Sequence, residues 1–114
     1  MTQPILWGSS ERQFGSLPPE VQDAFEWAID ELVKDPTSLP RSETRLLVET
    51  GPMSGSLELR RIKVKRRPED PGYRGIYLVD TKGLVFLRFA FRDKATYRGL
   101  KAMAQRARAQ LGLD

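Results

Sequence analysis

Two residue types that carry much of enzyme chemistry are missing: the 114-residue chain contains no cysteine and no histidine. Without cysteine there is no disulfide, no thiolate nucleophile and no thiolate metal ligand. Without histidine the commonest general base and the commonest metal ligand are gone as well. Carboxylates alone can hold a metal, but no D-x-D-type cluster is present, so neither a metal nor a cofactor is expected. Apolar runs are short, and none approaches the ~20 residues of a membrane helix. The opening Met1–Gly8 has neither a basic n-region nor a long apolar core, so it does not read as a signal peptide. A cytoplasmic protein with no membrane partner is the expectation. Any chemistry must come from lysine, arginine, tyrosine or a carboxylate.

What is present is positive charge, unevenly spread. The net charge of +4 hides two opposed halves: Met1–Ser56 sums to −5 and Leu57–Asp114 to +9. A basic half of this kind points to a polyanionic partner, either a nucleic acid or an acidic protein. The apolar fraction of 39% and charged fraction of 30% fit one folded domain, 1–114, rather than a disordered chain.

The hydrophobic pattern predicts α+β architecture. Pro4–Trp7 reads as a short strand and Ser9–Ser16 as a short helix. Pro18-Pro19 presets a helix start, and Val21, Ala24, Phe25, Ala28, Ile29 and Leu32 then recur at helical spacing to Lys34. Residues 36–56 read as a long loop, interrupted by a short strand at Arg45–Glu49. Leu57–Arg67 alternates in two phases, with Leu57 and Leu59 in one and Ile62 and Val64 in the other. The pair Arg60-Arg61 separates them, which predicts a bulge or bend there. Pro68–Gly72 is a turn, Tyr73–Asp80 a strand, Asp80–Gly83 a hairpin turn and Leu84–Phe91 a central strand. A last helix is predicted from Asp93 or Thr96 to about Leu111. The N-terminal strand and helices should pack on a mainly antiparallel sheet of three to four strands, with a C-terminal helix.

Period-2 alternation places Arg61, Lys63 and Lys65 on one face of their strand. Arg74 follows on the next strand, and Arg88 and Arg92 share one side of the third. Five or six cations thus converge on one sheet surface. Such crowding is costly between neighbouring strands and is eased by an anion, although exposed cations on a half-solvated sheet are also ordinary. Arg88 and Arg92 weaken the ordinary reading, because they interrupt an apolar strand. Tyr97 falls where the last strand gives way to the helix, either reaching the basic surface with its phenol or packing the helix start. The basic helix face of Lys94, Arg98, Lys101 and Arg108 reads as a solvated exterior.

The order strand, two helices, loop, meander and closing helix carries Leu57-Glu-Leu-Arg60, Gly72-Tyr-Arg74 before Ile76-Tyr-Leu-Val79, and Arg92-Asp-Lys-Ala-Thr-Tyr97. With Leu17-Pro18 ahead of the long helix, this resembles the RelE/ParE superfamily of type II toxin–antitoxin toxins, including its phage-derived HigB-like branch. The resemblance implies a small α+β toxin that cleaves mRNA on the ribosome and is neutralised by a cognate antitoxin. It implies that Arg74, Arg92 and Tyr97, with the paired lysines Lys63 and Lys65, form the catalytic set. Arg60, Arg61, Arg88 and Lys94 would contact RNA. An alternative alignment gives the role of the lysine pair to Arg60. Arg61–Pro71 makes the hairpin longer than is usual for the family. Two other readings remain: a ParE-like inhibitor of DNA gyrase, and a non-catalytic binding module of the same fold.

Overall fold

The computed structural model of the chain describes residues 4–35, 46–53, 58–81, 83–93 and 95–113. Eight elements follow in order: β1 (Ile5–Leu6), α1 (Ser10–Gly15), α2 (Pro19–Lys34), β2 (Leu47–Pro52), β3 (Leu59–Lys65), β4 (Tyr73–Asp80), β5 (Gly83–Phe91) and α3 (Leu100–Leu111). The α+β class is as expected, but the sheet is larger and mixed. Five strands lie in the order β1-β5-β4-β3-β2, and β1 runs parallel to β5. β2 is also longer than the short strand foreseen, pairing with β3 from Leu47 to Pro52. Residues 36–45 and 54–56 of the predicted loop, and Leu57 at the start of the predicted strand, lie outside the described residues.

α2 forms where its sequence says it should. Pro18 holds an extended ψ of 145°, Pro19 occupies the first turn, and Asp35 leaves the helix with φ −148°. Its buried side is the predicted stripe of Val21, Ala24, Phe25, Ala28, Ile29 and Leu32. Phe25 meets Phe89 of β5 edge-on at 5.2 Å, and Phe14 of α1 does the same. Ile62, Val64, Tyr77, Leu84 and Phe86 complete this core on one face of the sheet.

The second face is covered in part, by α3. Leu100, Ala104 and Ala107 of α3 pack on Leu59, Ile76, Leu78, Val85 and Leu87. This explains the two-phase alternation of β3 without a break in pairing. Leu59 is buried under α3 while Ile62 and Val64 are buried under α2, and the β3–β4 register runs unbroken through Arg60↔Tyr77 and Arg61↔Ile76. The predicted bulge at Arg60-Arg61 is therefore absent. The irregularity lies instead between β4 and β5, where Ile76 pairs with Arg88 but Tyr77 pairs with Phe86. Leu87 is the extra residue, and it shares the α3 face with Arg88.

α3 begins later than predicted. Gly99 adopts φ 69°, and the helix starts at Leu100. The segment before it is a chain of turns. The Asp93 carboxylate accepts the Ala95 N–H at 2.7 Å, and the Thr96 hydroxyl accepts the Asp93 N–H at 2.8 Å. These local bonds compete with helix hydrogen bonding and hold the chain in turns.

Gly72 sits in the left-handed region at φ +73°, and a Cβ there would lie 2.6 Å from the Val64 carbonyl oxygen and from Lys65 Cγ. Gly51 has nothing within 4 Å of its added Cβ. Gly72→Ala should cost about 2 kcal/mol in urea unfolding, whereas Gly51→Ala should be neutral or stabilising by up to ~1 kcal/mol. Equal effects would contradict this placement of the β3–β4 turn.

Candidate functional site

Strand parity assembles the site. Arg61, Lys63 and Lys65 alternate with the buried Ile62 and Val64, so they share the α3 face with Arg74, which pairs with Lys63. Ala90 of β5 lies opposite Arg74 and leaves room above it. α3 covers only the half of this face around Leu78 and Val85. The other half, at the start of β4, carries the cations. The 95–99 turns border it and lower Tyr97 onto it.

Arg74 is the centre of the group. It is only 4% exposed. Its Nε donates to the Tyr97 hydroxyl at 2.9 Å, and Nη1 donates to the Pro71 carbonyl at 2.7 Å and the Tyr73 carbonyl at 3.3 Å. Arg61 stands over the Tyr97 ring, with its guanidinium carbon 6.0 Å from the centroid. Burial alone would raise the Tyr97 pKa. The Arg74 hydrogen bond and the charges of Arg74 and Arg61 outweigh it and pull the phenol below its ordinary value.

Lys63 feels the same crowding. Partial burial comes first, followed by the charges of Arg61, Arg74 and Lys65, and together they lower its pKa. Glu49 of β2 pairs with Lys63 across the strands and works in the opposite direction. Glu49 was not foreseen as part of the site, because only the β2–β3 register brings it there. The ion pairs among the described residues lie elsewhere: Arg66 with Glu20, Arg67 with Glu69 and Asp70, Arg108 with Glu58, and Lys34 with Glu31. Among the described residues no carboxylate forms an ion pair with a cation of the cluster, and Glu49 acts on Lys63 only from across the strands.

Other expected residues fall differently. Lys65 shares the parity of Lys63, and its ammonium lies 3.5 Å from the Pro68 carbonyl. Arg60, by contrast, pairs with Tyr77 and so faces the α2 side, away from the cluster, with its Nε buried and without a hydrogen bond among the described residues. Arg88 is on the right face but is occupied. Its Nη1 donates to the carbonyls of Ala95, Thr96 and Arg98 at 3.1, 2.7 and 2.9 Å, and its Nη2 contacts Met103 Sδ at 3.1 Å. Those donors are taken up by the protein, so Arg88 has fewer to offer an RNA than the resemblance implies. Arg92 follows the end of β5, exposed, with its N–H bonded to the Gly72 carbonyl at 2.9 Å. Lys94 lies outside the described residues.

The cluster is an open face. A hollow of about 320 Å³ opens on the α2 side instead, over Val21, Leu46, Val64, Tyr73 and Phe91. Among the described residues no group of three or more carboxylates could hold a metal ion, and no helix is long and apolar enough to cross a membrane. No family model, no curated protein and no solved structure matches this chain.

The lowered pKa values give a signed pH dependence. Folded Tyr97 and Lys63 both release a proton below their unfolded values of 10.0 and 10.5. In that alkaline window the unfolded chain holds more protons, so stability rises with pH. Urea unfolding from neutral to about pH 10.5 should show the wild type gaining on Tyr97→Phe and on Lys63→Met. A constant difference across the window would contradict the lowered pKa of either group.

Proposed function

We propose that this chain is a toxin of the RelE/ParE kind that cleaves mRNA, with Arg74, Tyr97, Lys63 and Arg61 as its working face. The observation that carries the reading is the Arg74–Tyr97 pair: a buried guanidinium bonded to a phenol, beside a lysine of lowered pKa. Arg74 Nη2 has no hydrogen bond among the described residues, so one edge of the fork is open to a phosphate oxygen.

These groups suffice for transfer within RNA. A neutral Lys63 amine takes the proton of a ribose 2′-hydroxyl, and the 2′-oxygen attacks the adjacent phosphorus. The bond from phosphorus to the 5′-oxygen breaks. Tyr97, whose oxygen already accepts from Arg74, gives its proton to that leaving oxygen. The products are a 2′,3′-cyclic phosphate and a free 5′-hydroxyl. Arg74 and Arg61 stabilise the charge that grows on the phosphate oxygens. A lowered lysine pKa raises the neutral fraction available as base, and a lowered phenol pKa makes the better acid. Both shifts have the sign this mechanism needs. An open face does not by itself hold a flexible message in line, which favours RNA already ordered on the ribosome. The antitoxin expected with such a toxin would quench the uncompensated cations.

Translation of a defined message in the presence of the protein tests this. New 5′-hydroxyl ends should appear within the coding sequence. Arg74→Ala and Tyr97→Phe should each lower the cleavage rate by about 10²–10³. Lys63→Met should do the same and displace the pH–rate profile. Uncut message with normal protein yield would reject the reading, and a parallel loss of gyrase supercoiling would favour the ParE-like alternative.

A further inference from the structure

We propose that Arg88 is a positioning residue, whose guanidinium gathers the backbone carbonyls on both sides of Tyr97 and so holds the phenol against Arg74. The proposal rests on the reading of Tyr97 as part of the working face and extends it to a residue that touches no substrate.

Tyr97 is delivered by a segment with little regular hydrogen bonding of its own. α3 does not begin until Leu100, and Gly99 in the left-handed region separates the two. Among the described residues the Thr96 and Arg98 carbonyls therefore lack the backbone partners that an earlier helix start would give them, and the Ala95 carbonyl accepts only the Arg98 N–H at 3.1 Å. Arg88 Nη1 reaches all three, at 3.1, 2.7 and 2.9 Å. Two of these acceptors precede Tyr97 in the chain and one follows it. Its peptide is thus held from both sides by a single nitrogen. The second nitrogen leans on Met103 of α3 at 3.1 Å, which sets the angle of the fork.

The sheet is shaped to put Arg88 there. The irregular pairing between Ile76 and Tyr77 places Leu87 and Arg88 together on the α3 face. Arg88 pairs with Ile76, two residues along β4 from Arg74. A guanidinium at that point reaches the turn from beneath, while Arg74 meets the Tyr97 hydroxyl. The other fastening of the turn, Thr96 to Asp93 and to the Phe91 carbonyl, holds the turn to the end of β5. With the Ala95 N–H to the Asp93 carboxylate and the Arg98 N–H to the Ala95 carbonyl it shapes the turn, and Arg88 ties that turn to the sheet on either side of Tyr97.

The test reads the Tyr97 phenol directly. Ultraviolet titration of the full chain, compared with Tyr97→Phe, isolates the Tyr97 transition from those of Tyr73 and Tyr77. In folded Arg88→Met that transition should move upward, because the phenol leaves Arg74. Arg88→Lys keeps the charge on a shorter side chain without the second nitrogen. Its transition should lie between wild type and Arg88→Met, and it decides the matter alone if Arg88→Met does not fold. A Tyr97 transition unchanged in a folded variant overturns the proposal and leaves Arg88 a packing residue. A shift in Arg88→Met with none in Arg88→Lys assigns the effect to charge and overturns it equally.

Cleavage kinetics separate this outcome from the fate of the ribonuclease reading. Arg88→Met should lower kcat about a hundredfold in the wild-type background, with KM nearly unchanged. In the Tyr97→Phe background it should cost little more, since the two act as one unit. An equal loss in both backgrounds, or a raised KM, would make Arg88 a substrate contact. If the protein cuts no RNA at all, the titration still decides the role of Arg88.

Discussion

A guanidinium buried without a carboxylate partner among the described residues governs this molecule. Arg74 is almost closed to solvent, and its partners are two carbonyls and a phenol, all of them neutral. Those partners satisfy hydrogen bonding, which removes the largest part of the cost of burial. They do not cancel the charge. In a partly desolvated setting that charge acts strongly on its neighbours. Tyr97 and Lys63 both shift toward losing a proton, one through a direct hydrogen bond and the other through crowding as well as burial. Arg74 thus lies behind the Tyr97 shift directly, and behind that of Lys63 only after burial and Arg61.

The division of the sheet makes the arrangement tolerable. One face is covered over its centre by α1 and α2, where Phe25, Phe86 and Phe89 pack. The other face is apolar for half its length, under α3, and basic for the rest. Lysine opposite arginine on adjacent strands costs a fraction of a kcal/mol up to ~1 kcal/mol. The acidic residues of the first half could have offset this, but α2 carries most of them on the far side of the sheet, where Glu20 pairs with Arg66 instead. Glu49 alone comes across from Lys63, at the edge of the group.

Much of this was legible in the chain. Alternation identified the shared face of Arg61, Lys63 and Lys65, because a strand with buried Ile62 and Val64 has only one side left for them. α2 was legible for the same reason at helical period. The failures have a common cause. A phase change in β3 reads as a bulge only if one face is buried, and here both are, so Leu59 needed no bulge. Arg60, an RNA contact by the resemblance alone, goes to the α2 side by the same unbroken parity. The true irregularity, at Leu87, depends on pairing between strands and leaves no mark in an apolar run. The late start of α3 turns on Gly99 and on side-chain bonds of Asp93 and Thr96, which outweigh a helical pattern of apolar residues. Glu49 entered by register, from a part of the sequence dominated by turn residues.

Arg74 and Arg88 show why counting cations does not locate a site. Both are arginines on the same face of central strands, and both bond to backbone carbonyls. A guanidinium has five N–H groups, and their allocation decides its role. Arg88 turns Nη1 to three carbonyls and Nη2 to a thioether, which makes it part of the scaffold. Arg74 uses Nε and Nη1 to fix itself and a phenol, leaving Nη2 without a bond among the described residues. The first arginine completes the backbone where a helix has not yet begun. The second is fixed by the protein and still has hydrogen-bonding capacity to offer. An anion approaching this face would find a donor already oriented, and would supply the countercharge that the fold itself withholds.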